Sequence, residues 1–237
     1  MPRLGLGLGI GTGGAAPFSP ASIPGLIFQT SKSGTFYQDA GTTPAAVGQR
    51  VGRWVAEVGG NLNQTQVAAP DNRLVRASWG LIPPASPNTN ECLTFTNVVL
   101  TGDFTLYHVS QFHAGGTGEV MKGGGSGRIV NFGTASSVFV VDNAGSTSTS
   151  TGWTNATPKW VRIRRASGSL FLASDGVAEY AGGAGAAGTI TLNQLGGNGY
   201  SVTDATDGWG ATLIYDSSLS AGNRALVEAW LAANEYQ

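Results

Sequence analysis

Residues 92–112 decide the fold, and they read CLTFTNVVLTGDFTLYHVSQF. In the second half apolar and polar residues alternate, and a period of two is typical of a β-strand with one buried side. The first half alternates in the same way, and Gly102–Asp103 between the halves is a turn signal. The stretch therefore predicts two strands, 92–100 and 103–112, joined as a hairpin.

Short runs of the same kind occur along the rest of the chain, separated by Gly, Ser, Thr and Asn. They lie at 51–57, 128–132, 137–142, 159–165, 169–173, 189–195 and 209–216. Ala166-Ser167-Gly168 predicts a tight hairpin turn between two of them. Because no helical pattern alternates with these runs, the sequence favours a sandwich or barrel of antiparallel strands over a parallel α/β sheet.

One helix is expected, over residues 221–236. Ser220 is a good N-cap for it. An apolar stripe follows, formed by Leu226, Val227, Trp230 and Leu231. Such a stripe predicts that the helix packs on the sandwich as a brace, with Leu226 and Trp230 buried.

The composition indicates a chain that collapses into one sizeable domain. Of 237 residues 41% are hydrophobic and 11% charged, the net charge is −1, and 37 are glycine. Cys92 is the single cysteine, which excludes an intrachain disulfide and suits a small buried side chain. No apolar run reaches transmembrane length, so no membrane insertion is expected.

The basic residues predict no nucleic-acid partner. The densest cluster is Arg162, Arg164 and Arg165, which is too small for a phosphate-binding surface. Alternation places Arg162 and Arg164 on one side of a strand, and we expect that side to be solvated.

Residues 1–20 predict a glycine-rich extended arm, followed by the sandwich domain at 21–237. Glycines recur between Gly5 and Gly13 and oppose the helix that a secretory leader needs, so the stretch is interpreted as an arm and not a cleaved leader. Pro17 and Pro20 end it.

No constellation in the sequence predicts catalysis, and we expect no enzymatic activity. Glycoside hydrolysis needs two carboxyl groups about 5 Å apart in retaining enzymes, and no strand carries two of Glu57, Glu91, Glu119, Glu179, Glu228 and Glu235. His108 and His113, five residues apart, face opposite sides of a strand, so His108 is interpreted as structural. Residues 123–127 (GGGSG) lack the Lys-Ser/Thr of a phosphate loop.

Two weaker hypotheses concern ligands. Calcium would need loop oxygens, and Asp204, Asp207, Asp142 and Asn143 are the candidates, although Asp and Asn also simply form turns. No other cofactor is expected. Glycan binding would use loop aromatics near amides, and the candidate contacts are Trp79, Trp153, Tyr200 and Asn198.

Two segments carry a resemblance to known proteins. Residues 211–236 (ATLIYDSSLSAGNRALVEAWLAANEY) resemble the closing strand and helix of concanavalin A-like, laminin G-like domains through Ile214-Tyr215-Asp216, Leu219-Ser220 and Arg224. Residues 36–66 resemble a stretch that recurs in bacteriophage structural proteins, through QDAGTTP at 38–44 and VGRW at 51–54.

The resemblance implies a concanavalin A-like jelly roll of two antiparallel sheets with one C-terminal helix. It also implies a virion structural protein, either a capsid decoration, a spike or a fibre-base subunit. We expect such a protein to reside in the virion, to contact other virion proteins through residues 1–20, and to form a homo-oligomer. The alternative is a carbohydrate-binding module for adhesion to host surface glycans.

Overall fold

The structure is a computed structural model that describes residues 17–39, 42–60, 62–64, 74–82, 92–111, 119–123, 128–133, 137–142, 145–150, 157–184, 188–196 and 208–236. A 3₁₀ turn at Pro20–Ser22 comes first, and the single described α-helix, α1, is Ala221–Asn234. The strands between them are β1 (Leu26–Thr30), β2 (Phe36–Tyr37), β3 (Arg53–Trp54), β4 (Leu62–Gln64), β5 (Val75–Arg76), β6 (Leu81–Ile82), β7 (Cys92–Leu100), β8 (Phe104–Gln111), β9 (Glu119–Lys122), β10 (Arg128–Gly133), β11 (Ser137–Asp142), β12 (Gly145–Ser150), β13 (Lys159–Ala166), β14 (Ser169–Ser174), β15 (Val177–Ala184), β16 (Ile190–Gly196) and β17 (Gly208–Tyr215).

These strands form two antiparallel sheets. The first sheet has the order β15-β14-β13-β8-β17-β6-β5, and β1 also pairs with β17. The second sheet has the order β12-β11-β10-β9-β16-β7-β4-β3-β2. The described residues therefore confirm the predicted all-β sandwich of two antiparallel sheets with one C-terminal helix.

The main core lies between the sheets, because each strand turns its apolar side inward. Phe104, Leu106 and Ile214 of the first sheet belong to one buried cluster with Leu93 and Leu192 of the second. Phe28 also enters this cluster and its ring lies 4.7 Å from that of Phe95. Burial of such side chains contributes about 1.5–3 kcal/mol each and holds the sheets face to face.

A second core forms on the outer side of the first sheet, where α1 packs. Val227 and Leu231 of the helix are buried with Tyr107, Leu213 and Tyr215. Ser220 caps the helix as predicted, since its side chain accepts a hydrogen bond from the backbone N–H of Asn223 at 3.2 Å. The helix is therefore a third layer of the fold, and it covers the outer side of the first sheet and not that of the second.

The predicted hairpin over 92–112 is wrong. β7 pairs with β4 and β16 in the second sheet, whereas β8 pairs with β13 and β17 in the first. Gly102–Asp103 thus carries the chain from one sheet to the other. A Gly-Asp turn between two alternating runs can join strands within one sheet or strands in two different sheets. The local sequence is the same for both, because only the pairing partners of the strands differ.

The predicted solvated side of β13 is also wrong. Arg162 and Arg164 share one side, as predicted, but they are buried beneath α1 and β15 with 5% and 8% of their surface exposed. Glu179 of β15 and Glu228 of α1 neutralise them. Buried charge is tolerated when it is paired in this way.

Two smaller predictions have opposite outcomes. The turn at Ala166-Ser167-Gly168 is confirmed, because Ala166 pairs with Ser169 and both intervening residues have positive φ, 48° at Ser167 and 76° at Gly168. The buried stripe of the helix is only partly correct: Leu226 is 49% exposed, and Trp230 is half-buried against the second core. The buried side of the helix is centred on Val227 and Leu231, whereas the prediction centred it on Leu226 and Trp230.

The domain packing includes residues before position 21. The Phe18 side chain lies against the second core, and Tyr215 donates a hydrogen bond from its hydroxyl to the carbonyl of Pro20 at 3.2 Å. Residues 1–16 of the predicted arm lie outside the described residues. In the part of the chain that the structure describes, no helix is long and apolar enough to cross a membrane.

Candidate functional site

The outer side of the second sheet carries a set of polar side chains that we call the polar face. Its members are half-buried or exposed, and they are Tyr37, Arg53, Thr94, Thr96, Asn97, Thr191, Asn193 and Gln194. They point outward because their neighbours point inward: Phe36 and Trp54 stack at 4.8 Å in the core, so Tyr37 and Arg53 take the opposite side.

Backbone register aligns part of the polar face in one row. Tyr37 pairs with Arg53, Asn63 links Arg53 to Thr94, and Thr94 pairs with Gln194. Neighbouring strands lie about 4.8 Å apart. The row therefore sets an aromatic ring, a cation, a hydroxyl and an amide along a line that crosses five strands.

A β-bulge brings two asparagines together beside this row. The register of β16 against β7 shifts between Leu192 and Gln194, where β7 carries the extra residues. Asn193 there donates from Nδ2 to Oδ1 of Asn97 at 3.1 Å. The Oδ1 of Asn193 is buried without a hydrogen-bond partner among the described residues, whereas Asn97 is exposed and is the member of the pair that a ligand can reach.

Arg53 packs against the Tyr37 ring on the polar face. Its guanidinium carbon lies 4.2 Å from the centre of the Tyr37 ring, a cation–π contact. The Nε of Arg53 is buried with no acceptor in the described part of the chain. The nearby carboxylate of Asp39 accepts a hydrogen bond from the Thr43 hydroxyl at 3.2 Å.

A second polar group lies where the helix ends. Glu235 is 1% exposed and accepts a hydrogen bond from the backbone N–H of Lys32 at 2.7 Å. Glu57 is nearby and accepts from the side chains of Gln29 and Ser31. Burial, reinforced by the charge of Glu57, raises the pKa of Glu235 to about 7.

A third group ties the helix to the first sheet. Arg162 pairs with Glu228 of α1 and, at 2.7 Å, with Glu179 of β15. Arg164 also pairs with Glu179, at 2.7 Å. Burial alone would raise the pKa of Glu179, but the two arginines outweigh burial and lower that pKa below its usual value.

Sequence reasoning missed both carboxylate groups. It considered two acidic residues on one strand, whereas the fold brings Glu57 to Glu235 across most of the chain, and Glu179 to Glu228 from two different elements. No signal of these pairings is present in the sequence, because contacts between residues far apart in the chain leave no local pattern.

The predicted glycan contacts are placed only in part. Trp79 is described, is half-buried and packs against the second core on the first sheet. Trp153, Asn198 and Tyr200 lie outside the described residues. Their convergence on one surface stays a prediction.

Most of the calcium candidates also lie outside the described residues, namely Asn143, Asp204 and Asp207. The fourth candidate, Asp142, is the last residue of β11. Within the described ranges no group of three or more His, Cys, Asp or Glu side chains is arranged to hold a metal ion.

His108 is buried, as the structural interpretation expects, and His113 lies outside the described ranges. The Nδ1 of His108 lies 2.8 Å from the hydroxyl of Thr212, which is the partner of His108 in the β8–β17 pair. Both side chains face the main core. Burial lowers the pKa of His108 to about 3, so the ring is neutral at physiological pH. Cys92 is buried as well.

No protein-family model and no curated protein sequence matches the chain. Among solved structures, a sialidase from Trypanosoma rangeli in complex with sialic acid is similar, with a TM-score of 0.55 and 15% identity over 93% of this chain and 34% of the sialidase. The same sialidase with the inhibitor DANA gives 0.53 and 16% identity over 89% of this chain and 34% of that one. The chain thus spans about a third of the sialidase.

A family 7 alginate lyase is also similar, at a TM-score of 0.32 and 14% identity over 56% of this chain and 73% of the lyase. That score is too low to support an argument. At these identities the likeness concerns the fold, which is a jelly-roll-like β-sandwich compatible with a concanavalin A-like domain.

The prediction that the chain has no enzymatic activity is contradicted by these comparisons. The sialidase that shares its fold is an enzyme that acts on carbohydrate, so the fold gives no ground for excluding catalysis. The prediction considered only carboxylates along single strands, and the fold also brings carboxylates together from different elements, as it does Glu57 and Glu235.

Proposed function

We propose that the chain binds carbohydrate and that the polar face is the binding surface. The observation that carries this proposal is the row of Tyr37, Arg53, Thr94 and Gln194 in register across the second sheet. Aromatic faces stack on sugar rings, and amides and hydroxyls exchange hydrogen bonds with sugar hydroxyls. A row of this length suits an oligosaccharide lying across the strands.

The asparagine pair at the bulge supports the same function. Asn97 is exposed, and the hydrogen bond from Asn193 holds its amide in place on the polar face. Structural similarity to glycan-active enzymes is consistent with carbohydrate binding, although it bears on the fold alone.

Glycan-array binding by the purified chain tests the proposal. Gln194→Ala and Asn97→Ala each remove a side-chain amide from the polar face, and we expect each to weaken binding about 5- to 10-fold. The matched control is Leu226→Ala, an exposed change on the helix at the opposite side of the sandwich. Equal binding by all four proteins would contradict the proposal.

We also propose that the chain is a structural protein of a bacteriophage virion, a role compatible with glycan binding at the virion surface. The support is the resemblance of residues 36–66 to phage structural proteins. Part of that segment is a folded corner, in which the backbone N–H of Gln38 donates to the carbonyl of Thr43 at 2.8 Å. The predicted arm, residues 1–20, would attach the domain to other virion proteins, with the subunits forming a homo-oligomer.

Deletion of residues 2–16 tests the attachment. The deletion ends before Phe18 and Pro20, which pack on the domain, so the truncated chain should melt as the full chain does. We expect it to be lost from assembled particles while remaining folded. Incorporation at the level of the full chain would show that residues 1–16 are not the attachment element.

A further inference from the structure

The polar face holds a cation, Arg53, that pairs with no carboxylate among the residues the structure describes. In the first sheet, Arg162 and Arg164 pair with Glu179, and Arg165 donates to the carbonyls of Gly102 and Gly188, each at 2.6 Å. Arg53 differs, because no described carboxylate or carbonyl accepts a hydrogen bond from it and its Nε is buried without an acceptor. The Arg53 side chain is half-buried, so its terminal N–H groups are the donors that an anion can reach.

The Tyr37 ring restricts the position of the Arg53 guanidinium. The 4.2 Å distance between the Arg53 guanidinium carbon and the ring centre leaves the opposite surface and the edge of the guanidinium for other contacts. Planar guanidinium groups bind carboxylates through two parallel hydrogen bonds. A stacked arginine also loses less side-chain freedom when it binds, since the ring already restricts it.

We infer that the polar face selects glycans that carry carboxylates, with Arg53 binding the carboxylate of an acidic sugar. This inference rests on the proposed carbohydrate binding and adds the substrate class. Thr94 and Gln194, farther along the row, would then contact hydroxyls of the neighbouring sugar units.

The test compares two forms of one polymer by isothermal titration calorimetry: polygalacturonate and its fully methyl-esterified form, which has the same sugars without the charge. We expect the unesterified form to bind about 10- to 100-fold more tightly, as for a charge-assisted hydrogen-bond pair. Arg53→Gln should remove this preference while keeping binding to the ester. Arg53→Lys, which keeps the charge but not the planar fork, should retain only part of it.

Arg50→Gln is the control, because it removes the same charge from a residue outside the row. It should keep the full preference, and melting curves should show that each variant is folded. Equal binding of the two polymers by the wild-type chain, or an unchanged preference in Arg53→Gln, would overturn the inference and leave carbohydrate binding standing. Binding of neither polymer, together with a blank glycan array, would overturn both.

Discussion

His108 and Glu235 are both buried, and burial shifts their pKa values in opposite directions. The pKa of His108 falls to about 3 and that of Glu235 rises to about 7. In each case the neutral form is favoured, because the interior solvates charge poorly. The two residues therefore impose opposite pH dependences on the stability of one domain.

His108 makes the domain sensitive to acid. Its folded pKa lies below its unfolded value of about 6.5, so its contribution is present above that value and is lost as the pH falls. Between pH 7 and pH 4 we expect the wild-type chain to lose about 3 kcal/mol more than His108→Gln. Urea unfolding at the two pH values measures this difference, and equal losses in both proteins would contradict the buried neutral ring.

Glu235 has the opposite effect. Its folded pKa is raised, so its contribution is complete below the unfolded value and is lost as the pH rises through the folded pKa. From about pH 4.5 to pH 8 we expect the wild-type chain to lose about 3 kcal/mol more than Glu235→Gln.

Glu57→Gln provides the control for Glu235. It removes the neighbouring negative charge, so it should reduce that loss without abolishing it. Urea unfolding series for the three proteins give the slopes, and a pH-independent difference between wild type and Glu235→Gln would show that Glu235 does not titrate in this range.

At the scale of elements, α1 shows how a helix is oriented by what it covers. Leu231 is fully buried and Leu226 is 49% exposed. The two leucines are five residues apart and therefore lie on different sides of the helix. We expect Leu231→Ala to cost about 2–5 kcal/mol through the cavity it leaves, whereas Leu226→Ala should cost less than about 1 kcal/mol. Chemical denaturation of both variants tests this, and equal costs would contradict the observed packing.

The Arg162 group joins three elements, namely β13, β15 and α1. Removing Arg162 leaves Glu179 and Glu228 without their shared partner in a poorly solvated place. We expect Arg162→Ala to cost about 3–5 kcal/mol, as for a broken buried ion pair. The double variant Arg162→Met with Glu228→Gln, which removes one charge of each sign and leaves Glu179 paired with Arg164, should recover much of this stability. No recovery would show that packing and not charge dominates the loss.

For the whole molecule, the sequence revealed the number and kind of elements better than their partners. Alternation located β7, β8, β13 and β17 and the turn after Ala166, because these depend on residues close in the chain. It misassigned the 92–112 pair to one sheet and left Arg162 in solvent, because partner choice depends on residues far away. The polar face escaped notice for the same reason: Tyr37, Arg53 and Gln194 form a row only after four separate strand pairings.

The position of β17 has a consequence for synthesis. This strand lies inside the first sheet, between β8 on one side and β1 and β6 on the other, yet it spans Gly208–Tyr215. A nascent chain emerging from the ribosome therefore holds two half-sheets with a gap until residue 215 has cleared the exit tunnel, and until then β1 and β8 each present an unpaired edge. The first sheet cannot close before this strand is released from the ribosome, and the exposed edges are where a chaperone would be needed.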